Sequence, residues 1–264
     1  GILYKKGEYD DAMSKYQEAL HVSRSKLGND NQDVAGILHY IGGIHQKRGQ
    51  YQDALKCYRE AVHIYKAALG VEHSAVIATL LCIGNIHYKL KEFDQAMSLY
   101  TEALRVKRKQ LGDDHPEVLS ILKSIGMIHT KKGENDQAMQ IFVGILHVKK
   151  LQLGDHHIEV ASAHKSIGNV SFKQCDFEGA EEQYMKALSI YKLKLGEDHE
   201  HTISAYASIE CIREKMNCDD ERNPQIDRTS RIARILRVSP IDENLTGRKS
   251  QSCSLSEDSI PKKI

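Results

Sequence analysis

The sequence lacks several features that would place it in a specialised class of protein. It has no tryptophan, only four prolines, and six cysteines without Cys-x-x-Cys spacing or a disulfide-like framework. Such cysteine usage is typical of a reducing compartment, so we expect a cytoplasmic protein. The net charge of +1 gives no general attraction to nucleic acid or to a membrane surface, and we expect neither as a partner.

Long apolar runs and catalytic motifs are also missing. No stretch approaches the roughly 20 apolar residues that cross a bilayer, and no charged region precedes an apolar signal segment. The sequence shows no Gly-rich phosphate loop, nucleophile elbow or His-Glu-x-x-His pattern. Acidic pairs such as Asp113-Asp114 are interpreted as solvated charges. We therefore predict that the chain is not an enzyme and needs no cofactor.

What the sequence does contain is a pattern that repeats every 42 residues. One column of the repeat is a Leu-Gly pair, at Leu27-Gly28, Leu69-Gly70, Leu111-Gly112, Leu153-Gly154 and Leu195-Gly196. A second is an Ile-Gly pair, at Ile41-Gly42, Ile83-Gly84, Ile125-Gly126 and Ile167-Gly168. A third is an alanine followed four residues later by an aromatic residue, starting at Ala12, Ala54, Ala96, Ala138 and Ala180.

A fixed period of this length predicts a stacked array, because one such unit cannot bury its own apolar face. Within the unit, apolar residues recur with helical spacing and no period-2 alternation is seen. We predict an all-α fold over residues 1–216, a right-handed superhelix of antiparallel helix pairs. It would comprise a truncated first repeat, about four full units and a final capping helix, where Glu210 replaces the glycine.

Residues 217–264 lack the repeat pattern. They are polar and Ser-rich, and we predict a disordered tail that is dispensable for folding. The run 226–238 is an exception, because it is basic and could form an amphipathic helix with Ile232, Ile235 and Leu236 on one side. Arg-Thr-Ser, Ser-Pro and Arg-Lys-Ser matches to kinase sites occur here, but such short matches are common by chance. The chain begins inside a repeat at Gly1, so we expect a fragment of a longer protein.

The pattern resembles a known family. Leu38, Ile41, Gly42 and His45, followed by Ala54-x-x-x-Tyr58, resemble the tetratricopeptide repeat. The segment 111–118, Leu-Gly-Asp-Asp-His-Pro-Glu-Val, is similar to the long variant of kinesin light chain and nephrocystin-3-like proteins. The resemblance covers residues 1 to about 216. It implies a non-catalytic scaffold for protein–protein interaction, in which the first helix of each hairpin lines a concave groove.

Candidate groove residues follow from a lysine column and its neighbours on the same helical face. They are Lys47, Asn85, Lys89, Lys123, Lys131, Lys165, Asn169 and Lys173. The lysines near helix ends could simply complement the helix dipole, which is worth about 0.3–1 kcal/mol. Alternatively, lysines and asparagine amides suit an acidic extended peptide or a C-terminal carboxylate. Both interpretations remain open.

The sequence departs from kinesin light chains at one important place. Those proteins carry an Asn-Asn pair just before a Leu-Ala pair in the first helix. At these places this chain has His39-Tyr40, Leu81-Cys82, Lys123-Ser124 and Lys165-Ser166. The resemblance therefore does not imply the same cargo specificity.

Fourteen histidines raise the question of a metal site. Half of them fall in two columns, His45, His87 and His129 in one and His73, His115, His157 and His199 in the other. Equivalent residues of successive repeats lie too far apart to share an ion. We predict no metal site, with half-buried packing for the first column and a turn role for the second.

Two functional hypotheses follow. The leading one is a kinesin light chain-like adaptor that binds a protein or peptide partner, possible candidates being a kinesin heavy chain-like or a signalling protein. The alternative is a sensor or autoinhibitory repeat segment of a larger signalling NTPase. A coiled coil upstream would favour the first hypothesis, and a P-loop domain would favour the second.

Overall fold

A computed structural model describes residues 9–222, and this part of the chain is built from ten α-helices. They are α1 (Tyr9–Leu27), α2 (Gln32–Lys47), α3 (Tyr51–Leu69), α4 (Ser74–Lys89), α5 (Phe93–Leu111), α6 (Pro116–Lys132), α7 (Asn135–Leu153), α8 (Ile158–Lys173), α9 (Phe177–Leu195) and α10 (Glu200–Arg222). No β-strand occurs among these residues. The chain divides into two compact units, residues 1–145 and 146–264, with the boundary inside α7.

The helices form hairpins, as the repeat pattern predicts. In the first unit α2 packs on α3 and α4 on α5, and in the second unit α8 packs on α9. Helix α1 is the second helix of the truncated repeat, and α10 is a first helix that follows α9. The all-α fold of helix pairs is thus confirmed. Helix α10 continues to Arg222, past the expected boundary at residue 216, because no proline interrupts it before Pro224. The predicted tail from residue 223 onward lies outside the described residues.

A recurring histidine begins most of the first helices. The Nδ1 atoms of His73, His115, His157 and His199 each accept a hydrogen bond from the backbone N–H two residues later, at 3.2 Å. Asn31 does the same for α2 with its side-chain oxygen, at 2.8 Å. These residues are N-caps, which satisfy an amide that the helix leaves without a partner. The turn role predicted for the second histidine column is therefore confirmed.

Replacing His115 with alanine should lower the free energy of unfolding by about 1 kcal/mol, the usual cost of losing an N-cap. Replacing it with asparagine should cost much less, because Asn31 already performs this role in α2. Denaturant unfolding followed by far-ultraviolet circular dichroism would measure both variants. Equal losses for the two would show that the cap hydrogen bond contributes nothing.

The turns inside the hairpins need left-handed backbone. Gly49 has φ 75° and Gly133 has φ 82°, a region that glycine enters without steric cost. The equivalent places in the other hairpins are taken by Lys91 (φ 63°) and Cys175 (φ 61°), the two non-glycine residues with positive φ in the described part. The repeat therefore keeps its turn geometry even where it has lost the glycine.

The glycines of the Ile-Gly column and the alanines of the third column both lie in the interior. A Cβ atom added at Gly42 would lie 2.9 Å from the Tyr58 ring, and one at Gly126 would lie 2.8 Å from Phe142. The glycine therefore makes room for the aromatic ring of its own hairpin. The alanines of the third column are fully buried at Ala54, Ala96, Ala138 and Ala180. Together the Ile-Gly column and the alanine–aromatic column set how closely the two helices of a hairpin approach.

Candidate functional site

The predicted groove residues lie on the first helices of the hairpins, and we call the surface that they occupy in each unit the lysine–asparagine face. Five belong to the first unit and three to the second. The exposed members are Lys47, Asn85, Lys89, Lys131 and Lys173, and the half-buried members are Lys123, Lys165 and Asn169. The four exposed lysines occupy the last turns of α2, α4, α6 and α8.

First helices of successive hairpins contact one another at this face. In the first unit, His39 of α2 forms a 3.0 Å hydrogen bond between its Nδ1 atom and Oγ1 of Thr79 in α4. In the second unit, Nζ of Lys165 in α8 donates to Oγ of Ser204 in α10 at 2.9 Å. Lys165 thus has a structural partner, which its sequence position did not indicate.

Both asparagines of the face are oriented by tyrosines from the second helices. The hydroxyl of Tyr100 donates to Oδ1 of Asn85 at 2.6 Å, and the hydroxyl of Tyr184 donates to Oδ1 of Asn169. Burial raises the pKa of Tyr100 to about 12 and also raises the pKa of Tyr184, so both hydroxyls stay protonated donors. Because the oxygen of each amide is engaged, its NH₂ group is the part that can meet a ligand.

Sequence reasoning missed this tyrosine–asparagine pairing, although a signal was present. Each pair is separated by fifteen residues. Where the aromatic residue is Phe142, which has no hydroxyl, the position fifteen residues earlier is the apolar Met127. An asparagine thus precedes Tyr100 and Tyr184 by fifteen residues, whereas an apolar residue precedes Phe142 by the same distance. This correlation could have indicated the contact.

The exposed lysines differ from the cations beside them. Lys132 pairs with Asp94 at 3.0 Å and with Glu134 at 3.4 Å, and Arg48 pairs with Asp10 at 2.5 Å. Their neighbours Lys131 and Lys47 have no carboxylate partner within residues 9–222, and neither has Lys173. At the ends of α2 and α6 the carboxylates therefore pair with Arg48 and Lys132. The ammonium groups of Lys47, Lys131 and Lys173 remain available to a ligand.

Carboxylates are absent from the same helices beyond their first turns. No aspartate or glutamate occurs in residues 34–47, 74–89, 118–132 or 160–173. The acids in the first turns of α6 and α8 are already engaged, since Glu117 pairs with the buried Lys107 at 2.6 Å and Glu159 pairs with Lys149. The hydrogen bond from Lys107 lowers the pKa of Glu117. The lysine–asparagine face is consequently electropositive in each unit.

The first histidine column closes the hairpin turns. His45 bonds Gln50 at 2.8 Å, while His87 bonds Glu92 and His129 bonds Glu134, each at 2.5 Å through Nδ1. The hydrogen bond from His129 is the main cause that lowers the pKa of Glu134. His45 and His129 are half-buried and His87 is buried, as predicted for packing positions.

Among the described residues, no three histidine, cysteine, aspartate or glutamate side chains are grouped so that they could hold a metal ion. Within residues 9–222, none of the helices combines the length and the apolar character that crossing a bilayer would require.

Comparison with protein families identifies the class. Tetratricopeptide-repeat models match residues 1–67 and 75–143, and a further tetratricopeptide-repeat model matches residues 161–201. The matches cover more than half of the chain, which therefore belongs to the tetratricopeptide-repeat family. No curated protein matches the chain by sequence.

Solved structures with the same fold include proteins of the kinesin light chain type. A Podosopora anserina protein assigned to the kinesin light chains, with nearly identical TPR-like repeats, is 15% identical, with a TM-score of 0.65, over 74% of this chain and 92% of its own. BtubC (BKLC) from P. vanneervenii is also 15% identical with a TM-score of 0.65, over 96% of this chain and 98% of its own. MamA is 16% identical with a TM-score of 0.51, over 73% and 94%. At these identities the likeness shows the fold alone.

Proposed function

We propose that this tetratricopeptide array is a kinesin light chain-like adaptor, located in the cytoplasm, which binds an extended acidic peptide of a partner protein. The observation that carries the proposal is the pairing pattern at the ends of the first helices. Lys47, Lys131 and Lys173 lack carboxylate partners within residues 9–222, although neighbouring cations have them. These lysines stand on helices without acidic residues beyond the first turn.

The face offers two kinds of donor to such a peptide. Ammonium groups form charge-assisted hydrogen bonds with carboxylates, which are stronger than hydrogen bonds between neutral groups. The amide NH₂ groups of Asn85 and Asn169, held by their tyrosines, would donate to the peptide backbone. Side-chain amides held in one orientation lose less conformational entropy on binding than free ones do.

The test uses peptides selected from a proteome-derived display screen against the full chain. The double variant Lys131→Glu, Lys173→Glu should fold normally and bind these peptides at least about 10-fold more weakly, because a hydrogen bond to a charged group is worth about 1.5–3 kcal/mol. Binding to the wild type should also weaken as salt rises from low to physiological strength, since exposed charges are screened. Fluorescence anisotropy titrations at two salt concentrations would measure both effects.

A matched control is available on the second helices. Lys26 and Lys194 are exposed lysines in the last turns of α1 and α9. The variant Lys26→Glu, Lys194→Glu makes the same change in charge away from the lysine–asparagine face and should retain the affinity of the wild type. Equal affinities for all three proteins at both salt concentrations would reject the proposal and leave the lysines as partners of the helix dipoles.

A further inference from the structure

The exposed lysines of the first unit form a row with regular spacing. Lys47, Lys89 and Lys131 are equivalent residues of three successive repeats, each 42 residues from the next, and all three are exposed. They lie in the last turns of α2, α4 and α6. The row therefore crosses three first helices at the same level, so a peptide along it would meet one ammonium group per repeat.

The three helices that carry the row are direct neighbours. Nδ1 of His39 in α2 bonds Oγ1 of Thr79 in α4 at 3.0 Å. The hydroxyl of Tyr100 bonds Asn85 in α4 at 2.6 Å and also bonds Ser124 in α6. Helices that pack directly have axes about 8–10 Å apart. Equivalent lysines on these helices should therefore recur at a similar distance.

Among the conformations of an extended peptide, polyproline II matches this distance. Its side chains return to the same face at every third residue, after about 9.3 Å, because each residue rises about 3.1 Å. In a β-strand the side chains of one face recur every second residue, after about 6.6 Å, or after about 13 Å when one is skipped. Neither strand spacing agrees with the distance between the axes of packed helices.

The hydrogen-bonding groups of the face favour the same conformation. Residues 9–222 contain no β-strand, so a peptide in the strand conformation would find no sheet edge to pair with in this part of the chain. A polyproline II peptide makes no internal hydrogen bonds. Its carbonyl groups can therefore accept from the NH₂ group of Asn85, which lies one turn before Lys89. An α-helical peptide repeats on one face after seven residues, about 10.5 Å, but its carbonyl groups are already bonded within the helix.

We propose that the partner peptide binds the first unit in the polyproline II conformation, with an acidic residue at every third position. Its carboxylates lie against Lys47, Lys89 and Lys131, and Asn85 donates to a backbone carbonyl between two of them. This inference rests on the proposed function, because it specifies which acidic peptides the same face selects. The two residues between successive acids do not meet the row. Proline there should strengthen binding, because it holds the free peptide in the bound conformation.

Synthetic peptides of one length and composition test the spacing. Each carries three glutamates in a host of proline and serine, at every second, every third or every fourth position, and fluorescence anisotropy measures binding to the full chain at low salt. The peptide with a glutamate at every third position should bind at least about 10-fold more tightly than the other two, because a carboxylate out of register loses its charge-assisted hydrogen bond. A fourth peptide of this length, with glutamates at every seventh position of a helix-forming alanine host, should also bind weakly.

The outcomes separate this inference from the proposed function. Equal binding of all four peptides, weakened by Lys131→Glu, Lys173→Glu, would show that the face binds acidic peptides without the proposed spacing, and would overturn this inference alone. Tightest binding of the helical peptide would overturn it as well. If none of the acidic peptides binds, the proposed function fails and this inference fails with it.

A double-mutant cycle places the peptide on the row. Lys89→Gln and the replacement of the middle glutamate by glutamine should each weaken binding several-fold, and together by little more than either alone, since both remove one contact. Lys26, an exposed lysine in the last turn of α1, provides the control, and Lys26→Gln should leave the affinity unchanged. Additive losses for Lys89→Gln and the peptide change would refute the proposed register. Circular dichroism verifies that each variant is folded, and the peptide series decides the spacing without any change to the protein.

Discussion

Replacing Ala138 with glutamate is expected to lower the free energy of unfolding by several kcal/mol and to abolish a single cooperative transition. Ala138 is fully buried in α7 and belongs to the alanine column that lies where the helices of a hairpin pack. A glutamate there would lose its hydration without gaining a cation. Leaving a buried charge uncompensated costs about 3–5 kcal/mol, a large part of the stability of an ordinary domain.

The adjacent residue provides the control for this variant. Gln137 is exposed on the same helix, so Gln137→Glu adds the same charge at the surface. Its effect should stay within about 0.5 kcal/mol, as for most surface substitutions. Thermal and denaturant unfolding, followed by circular dichroism at 222 nm, would compare the two variants. Wild-type stability of Ala138→Glu would mean that the alanine column does not lie in the interior.

Replacing Tyr184 with alanine should cost about 3–5 kcal/mol, the usual range for removing a buried aromatic ring. Its ring is fully buried, and the tyrosine packs against Gly168, the glycine whose missing side chain makes room for it. Alanine would leave a cavity between α8 and α9. The surrounding helices can close such a cavity only in part, because α9 also packs on α10 in the second unit.

The variant Tyr184→Phe separates the ring from its hydroxyl. It keeps the packing and removes the hydroxyl group that hydrogen-bonds Asn169 and Ser208, so a loss of about 1 kcal/mol is expected. The hairpin with Phe142 shows that the repeat accommodates a ring without a hydroxyl. Denaturant unfolding of both variants would give the two values. If Tyr184→Phe were as damaging as Tyr184→Ala, the hydrogen bond rather than the packing would dominate this position.

The helices of the array were predictable because their signals are local and repeated. In the first complete hairpin the second helix, α3, runs from Tyr51 to Leu69 and ends at the Leu69-Gly70 pair of the repeat. Three local signals predict each hairpin: the spacing of apolar residues along a helix, a small residue where two helices pack closely, and a glycine at the turn. Each of them can be read from a few neighbouring residues of the sequence. Five copies of the alanine column made the repeat length certain and, with it, the pairing of helices.

Details of the lysine–asparagine face were less predictable, because they depend on contacts between residues distant in sequence. The position of Lys165 indicated an open groove cation, yet its ammonium group bonds Ser204, 39 residues away. The two asparagines were expected as direct ligand groups, but a tyrosine of the second helix fixes the orientation of each amide. The binding role of all eight residues remains a prediction.

The sequence by itself determined the helices, their pairing and the family, since apolar residues recur along the chain at the spacing that buries one face of each helix. Only the tertiary structure decided which charges are neutralised and which polar groups of the lysine–asparagine face are already engaged. The reason is physical. Apolar burial depends on the spacing of residues along one helix, whereas an ion pair such as Lys132 with Asp94 depends on how side chains of different hairpins meet across a few ångströms.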